Sequence, residues 1–100
     1  MKKYTFSLGL NDKDSKLQEI NTIDAYKTVM NLVWSYFGGW TITEWQGFYT
    51  HEDWTTVFEK SLIITTYSNK EYYSFIQDLK RIFNQESIGF EEVETTVKFL

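Results

Sequence analysis

The chain contains no cysteine and no proline, and its five glycines fall at four places. Lacking thiols, it forms no disulfide, no thiolate metal site and no covalent intermediate on sulfur. That absence fits a reducing compartment. Without proline or a glycine-rich tract there is no linker, repeat or low-complexity segment to divide the chain. At 100 residues it is long enough for one hydrophobic core and too short for two. Long apolar runs are also missing, none approaching the roughly 18 residues of a membrane-spanning helix. The opening MKKYTFSLGL sets two lysines before apolar residues. Those alternate with Thr, Ser and Gly, and NDKDSK follows at once, so the stretch is too short for a secretion signal. A soluble cytoplasmic protein with no membrane association is expected.

Positive charge is scarce. Ten Lys and Arg stand against 14 Asp and Glu, for a net charge of −4. Phosphate contacts supply most of the affinity of nucleic-acid binders and need a basic face. The few basic residues here are dispersed, so no direct nucleic-acid binding is expected, and the acidic surface suits a basic protein partner. What the chain has in quantity is rings: four Trp, seven Tyr and eight Phe, 19% of all residues. Large rings let a small domain bury much area with few residues, at about 25 cal/mol per Å² of apolar surface.

Hydrophobic periodicity predicts six elements. Tyr4, Phe6, Leu8 and Leu10 alternate with Thr5, Ser7 and Gly9, the mark of a half-buried strand. After the polar NDKDSKLQEIN, Ile23, Tyr26, Val29, Met30, Val33, Trp34 and Phe37 recur at helical steps. Thr22 is the expected N-cap, Asp24 lies in the first turn, and Gly38-Gly39 is the expected C-terminal stop. WTITEWQGFYT and TTVFEKSLIITTY, joined by HEDW, are a predicted β-hairpin. Ser68 and Glu71 have the spacing of a capping box, and Tyr72, Phe75, Ile76, Leu79, Ile82 and Phe83 form a second helical stripe. A last strand is expected in FEEVETTVKFL, with Val93, Thr95, Val97 and Phe99 alternating.

The order β-α-β-β-α-β predicts an α+β, ferredoxin-like sandwich, an antiparallel sheet with both helices on one face. Tyr4, Phe6, Leu8, Phe58, Leu62, Ile64, Val97 and Phe99 are expected to face the helices. Thr5, Ser7, Glu59, Ser61, Glu94, Thr96 and Lys98 would then form a polar, mildly acidic open face. Such a face is left to water, to a shallow site, or to a homodimer.

FSLGL, then GWTITEWQGFYT and FEKSLIITTY, then FNQESIGFEEVETTVKF resemble, in that order, a family of small bacterial proteins of unknown function. Its pattern is G-L-T-x-x-x-x-Q-G-x-W, R-E-x-S, and F-x-Q-E-S-V. The resemblance spans nearly the whole chain and points to Gln46, Gly47, Glu59, Ser61, Gln85, Glu86 and Ser87. Trp40 stands where the family has Leu, Lys60 follows Glu59, and Trp54 occupies a turn position where Gly is expected. The family has no established activity, so the resemblance implies a fold and leaves function open.

Among chemistry-bearing groups, His51 with Glu52 and Asp53 offers too few converging ligands for zinc. Asn11, Asp12 and Asp14 imitate the start of a calcium loop, but Lys16 and Thr22 occupy the positions that need Gly and Glu. Neither a metal nor a cofactor is expected, and no catalytic residue is assigned. Gln46, Glu59, Ser61, Gln85, Glu86 and Ser87 define a possible polar pocket, in which a carboxylate can act as general acid or base. The alternative for Gln85, Glu86 and Ser87 is a turn locked by backbone hydrogen bonds. Trp45, Tyr49, Glu52, Asp53 and Trp54 are the candidate partner-binding set, since alternation sends some hairpin rings outward. The favoured expectation is an acidic binding protein without catalysis, a phage or mobile-element inhibitor of a host nucleic-acid-targeting defence protein, anti-CRISPR-like in kind. The alternative is a small enzyme or ligand-binding domain with a pocket of Glu59, Ser61 and Glu86. A structural dimerisation module is the third possibility.

Overall fold

The structure, a computed structural model, describes residues 1–50 and 53–100, excepting the side chain of residue 49. Its elements are β1 (Lys2–Gly9), α1 (Thr22–Tyr36), β2 (Thr41–Thr50), β3 (Thr56–Ser68), α2 (Tyr73–Ile82) and β4 (Gly89–Glu94). The strands form one antiparallel sheet in the order β2-β3-β1-β4. The chain is therefore an α+β ferredoxin-like sandwich, as the element order predicts.

Register assigns the two faces of the sheet. Tyr4, Phe6 and Leu8 lie opposite Thr66, Ile64 and Leu62, and all six are buried. On the other side of β1, Phe90 lies opposite Phe6. Ala25, Val29 and Val33 of α1 and Phe75 and Leu79 of α2 cover this face. Phe6 is the hub: its ring centroid lies 4.8 Å from Phe75, 5.3 Å from Phe90 and 6.1 Å from Phe37. Tyr4 joins the cluster and sends its hydroxyl to the Lys70 carbonyl at 2.7 Å, so the buried ring leaves no polar group unpaired.

Several local expectations are corrected. The N-cap of α1 is Asn21, one residue before Thr22. Its Oδ1 accepts from the Asp24 N–H at 2.9 Å, while its Nδ2 donates to the Asp24 carboxylate at 2.8 Å. The Thr22 hydroxyl instead accepts from Gln18. Helix α1 ends when Phe37 turns extended (φ −133°, ψ 142°) and buries its ring, and neither Gly38 nor Gly39 takes a left-handed conformation. Ser68 and Glu71 do not form a capping box. The Ser68 hydroxyl accepts from the Lys70 N–H, and Glu71 accepts from the Ser74 N–H at 2.7 Å, one residue into α2.

The last strand is shorter than alternation predicts, because the ladder runs out where β1 begins, at Lys2 opposite Glu94. Phe90 takes the core position expected of Val97 and Phe99, and Phe99 is 90% exposed. Glu94, opposite Lys2, shares the helix-side parity of Tyr4 and Phe6 and is not on the open face. Phe58 also shares the helix-side parity yet is 45% exposed, because the β2–β3 ladder extends past the helices to Thr50 opposite Thr56. Its ring meets Phe48 across the hairpin at 5.4 Å. This projecting hairpin fits the elongated dimensions of 47 × 24 × 23 Å. Among the described residues, no helix is long and apolar enough to cross a membrane.

The two helices are tied by Tyr36, whose hydroxyl donates to Asp78 Oδ2 at 2.5 Å; Arg81 reaches the other oxygen at 3.3 Å. The Tyr36 bond, and then Arg81, hold the Asp78 carboxyl below its ordinary 3.8, while the same bond holds the phenol above its ordinary 10.0. A carboxyl depressed on folding stabilises above its unfolded value and ceases to as pH falls through its folded value. Tyr36→Phe is therefore expected to lower stability more near neutral pH than well below pH 3.8, a gap that urea denaturation at the two pH values measures. In the core, Phe6→Ala is expected to cost about 3–5 kcal/mol, a large part of the roughly 5–15 kcal/mol available to such a domain. Denaturant midpoints check this.

Candidate functional site

The sheet face turned away from the helices carries the candidate site. Antiparallel register sets Gly47 opposite Glu59 and Trp45 opposite Ser61, Ser61 opposite Gly9, and Ser7 opposite Gly89. Directly opposed residues point to the same side, so Glu59 and Ser61 rise from a floor of glycines and small hydroxyls. At Gly9 the absence of a side chain makes room for Glu59 in its present position. A β-carbon there would lie 2.7 Å from Glu59 Oε1 and 2.8 Å from its carboxyl carbon, because the Glu59 side chain leans across β1.

The half-buried Glu59 carboxylate is anchored from the neighbouring loop. Its Oε2 accepts the Asn11 backbone N–H at 3.0 Å, and Asn11 Nδ2 donates to the Phe58 carbonyl at 3.2 Å. Gln85, on the connection from α2 to β4, donates from Nε2 to the Asn11 carbonyl at 2.7 Å and to the Phe83 carbonyl at 3.2 Å. A cleft of about 240 Å³ opens beside these groups, lined by Asn11, Asp12, Lys13, Lys16, Glu59, Gln85, Glu86 and Ser87.

Four residues of the predicted polar pocket, Glu59, Gln85, Glu86 and Ser87, thus line one cleft. Ser61 lies beside them on the same sheet face, opposite Gly9. Gln46 does not join them. It lies opposite Lys60, whose parity is that of Leu62 and Ile64, so it belongs to the other face of the sheet. The loop from Asn11 to Lys16 was missed as a wall of the site. Its signal was the cluster of Asn and Asp, which favours tight turns. Asp12 Oδ2 accepts from the Asp14 and Ser15 N–H groups at 2.8 and 3.0 Å, and Asn84 Nδ2 bridges Asp12 and Asp14 at 2.7 and 2.9 Å. Asn84 first, then the two backbone donors, hold the Asp12 carboxyl below its ordinary value. Asn84 itself is left-handed, with φ 48°. Among the described residues no group of three or more His, Asp or Glu is placed to hold a metal ion.

Of the candidate partner-binding residues, Trp45 and Tyr49 lie on β2, and Asp53 and Trp54 lie between β2 and β3. Trp45 is 62% exposed on the open face, whereas exposed Phe48, opposite Phe58, projects from the other side of the same hairpin. Trp54 is 86% exposed and left-handed, with φ 66°, while Asp53 Oδ1 accepts from the Thr55 N–H at 3.0 Å. Tyr49 pairs with Val57 in the ladder, and His51 and Glu52 lie outside the described residues. A second hollow of about 300 Å³, at the other end of the sheet between Trp40, Tyr67 and Phe99, is lined by no carboxylate side chain.

No family model matches the chain, and no curated protein matches it in sequence. Among solved structures it is similar to a phage SAM lyase in complex with S-methyl-5′-thioadenosine, with a TM-score of 0.65 and 21% identity over 93% of this chain and 80% of that one. It is also similar to a phage SAM lyase in the apo state, with a TM-score of 0.63 and 21% identity over 92% and 78% of the two chains. At this identity the likeness establishes a shared fold. It also corrects the expectation of a non-catalytic inhibitor: both counterparts are enzymes matched over nearly the whole chain. The enzyme alternative, with its carboxylate pocket, fits these neighbours better.

Gly9→Ala tests the geometry. The atoms it would strike are the far end of a flexible side chain, so Glu59 moves and the strand need not. Stability is expected to change by less than about 1 kcal/mol, while the Asn11 amide resonance shifts as its acceptor leaves. An unshifted Asn11 amide in a folded variant would show that Glu59 does not lean across Gly9.

Proposed function

We propose that this chain is a small lyase acting on S-adenosylmethionine (SAM), with the cleft beside Glu59 as its site. The observation that carries the proposal is the cleft's mixed charge. Glu59, Asp12 and Glu86 face Lys13 and Lys16 around one hollow, a lining suited to the ammonium and carboxylate of an amino-acid end. The similarity in fold to a SAM lyase holding S-methyl-5′-thioadenosine supports that choice of substrate, and the phage source of both neighbours supports a phage or mobile-element setting. We further propose that the small bacterial family resembled by the sequence uses the same cleft, since Glu59, Gln85, Glu86 and Ser87 are among the residues shared.

Releasing S-methyl-5′-thioadenosine from SAM breaks the bond between the sulfonium sulfur and the four-carbon amino-acid fragment. Sulfur keeps the electron pair and becomes a neutral thioether. A lyase consumes no water, so the fragment balances the step itself, either by losing a proton to a base or by closing its own carboxylate onto the vacated carbon. A carboxylate set directly against the sulfur would favour the charged substrate over the neutral product and slow the step. Glu59 is therefore assigned to the amino-acid end, as acceptor for the ammonium and, on the proton-loss route, as base. Lys13 and Lys16 are assigned to the substrate carboxylate.

The test is release of S-methyl-5′-thioadenosine from SAM, followed by chromatography. The wild type is expected to produce it, and Glu59→Gln to lower kcat by about 10²-fold or more. Binding without turnover would assign a ligand-binding domain instead. No product and no thermal shift with S-methyl-5′-thioadenosine would overturn the proposal.

A further inference from the structure

Glu59 belongs to β3, yet the contact that aims its carboxylate comes from the loop that follows β1. That loop residue, Asn11, is gripped from a third element. Gln85 Nε2 donates to the Asn11 carbonyl at 2.7 Å and to the Phe83 carbonyl at 3.2 Å. Both acceptors are carbonyls, which fixes the orientation of the side-chain amide. Nε2 is thereby engaged by two protein carbonyls. Gln85 is in turn anchored by its own backbone, whose N–H donates to the Lys80 carbonyl at 2.9 Å at the end of α2. Further bonds join the same two loops: Lys13 N–H to the Asn84 carbonyl at 3.2 Å, and Asn84 Nδ2 to Asp12 and Asp14.

From this we infer that Gln85 is the positioning residue of Glu59, setting the carboxylate through Asn11 without touching substrate. The inference rests on the assignment of Glu59 to the amino-acid end of SAM. Gln85 does not polarise the Asn11 N–H, because the carbonyl it holds belongs to the next peptide unit. What it does is fix the backbone rotation at residue 11, and so the direction in which that N–H points. Asn11 Nδ2, bonded to the Phe58 carbonyl at 3.2 Å, holds the same residue against β3 beside Glu59. The carboxylate is thereby tied to the α2–β4 connection, although no direct bond joins Glu59 to Gln85 among the described contacts.

A double-mutant cycle with Gln85→Met and Glu59→Gln tests this, since residues acting through one group are non-additive. Gln85→Met is expected to lower kcat/KM by about 10- to 100-fold, the scale of a misplaced reacting group. In the Glu59→Gln background the same change is expected to cost less than about twofold. Additive losses would show that Gln85 acts on substrate by itself and would overturn the inference. Should Gln85→Met fail to fold, Gln85→Glu keeps the shape, removes the donor and sets an anion against the Asn11 carbonyl. A second readout needs no turnover. In the ligand-free protein, Gln85→Met or Gln85→Glu is expected to move the Asn11 amide proton upfield and lower its protection from exchange, as Glu59→Gln does. If the wild type turns over no SAM while this amide responds, the positioning role stands and the proposed substrate falls. If the amide is unmoved in a folded variant, the positioning role falls whatever the activity.

Discussion

The pairing of β1 with β3 is the constraint on which both faces of the protein depend. With Phe6 opposite Ile64 and Gly9 opposite Ser61, β1 sends Tyr4, Phe6 and Leu8 into the helical layer and Ser7 and Gly9 to the open side. A slip of one residue would invert this, exposing the ring cluster and burying serine and glycine in its place. The same register puts Gly9 beneath the Glu59 side chain. Core packing and site geometry are therefore one arrangement seen from two sides, and the energy that holds the register is the burial of Phe6 and its neighbours. The site needs only that this register be kept, which leaves its own face free to carry polar and small residues.

The site itself is assembled from segments far apart in the chain. Glu59 comes from near the start of β3, Asn11 to Lys16 from the loop after β1, and Gln85 to Ser87 from the connection after α2. Side-chain amides do much of the joining: Asn11, Asn84 and Gln85 each bond to backbone or carboxylate groups of another segment. Such bonds offer direction with no net charge, so they can hold a carboxylate in place without neutralising it. The lysines of the cleft serve differently. Lys16 Nζ donates to the Lys13 carbonyl at 2.5 Å, and neither lysine forms an ion pair with Glu59 among the described residues.

The order of elements, the strand faces of β1 and β3 around Leu62 and Ile64, and most of the α2 stripe were legible in the residues, because periods of two and 3.6 leave a direct mark on hydrophobic patterning. In α1 only part of the stripe was, since Ile23, Met30 and Trp34 are exposed and Ala25 is buried with Val29 and Val33. Where patterning continued past the ladder it misled. Val97 and Phe99 alternate as a strand should, but a strand needs a partner, and among the described residues the last backbone bond to the N-terminal strand is from the Thr95 N–H to the Met1 carbonyl at 3.0 Å. Phe58 has the right parity and lacks helices above it. The N-cap of α1 was misplaced by one residue for a similar reason. Asn21 and Thr22 are both competent N-caps, and the choice fell to whichever side chain the neighbouring loop left free.

What the sequence determined alone was the fold class, the acidic balance, the exclusion of thiol chemistry, and the candidacy of Glu59, Ser61, Gln85, Glu86 and Ser87. These follow from composition, local periodicity and short motifs, all of which are properties of neighbours in the chain. Tertiary structure decided which candidates meet. It sent Gln46 to the opposite face through its pairing with Lys60, brought Asn11 and Lys13 to the cleft, and made Gly9 the seat of the Glu59 carboxylate. Those outcomes depend on register and on loop-to-loop hydrogen bonds between residues 48 to 74 positions apart. No local pattern encodes such contacts, because they exist only once the sheet has closed.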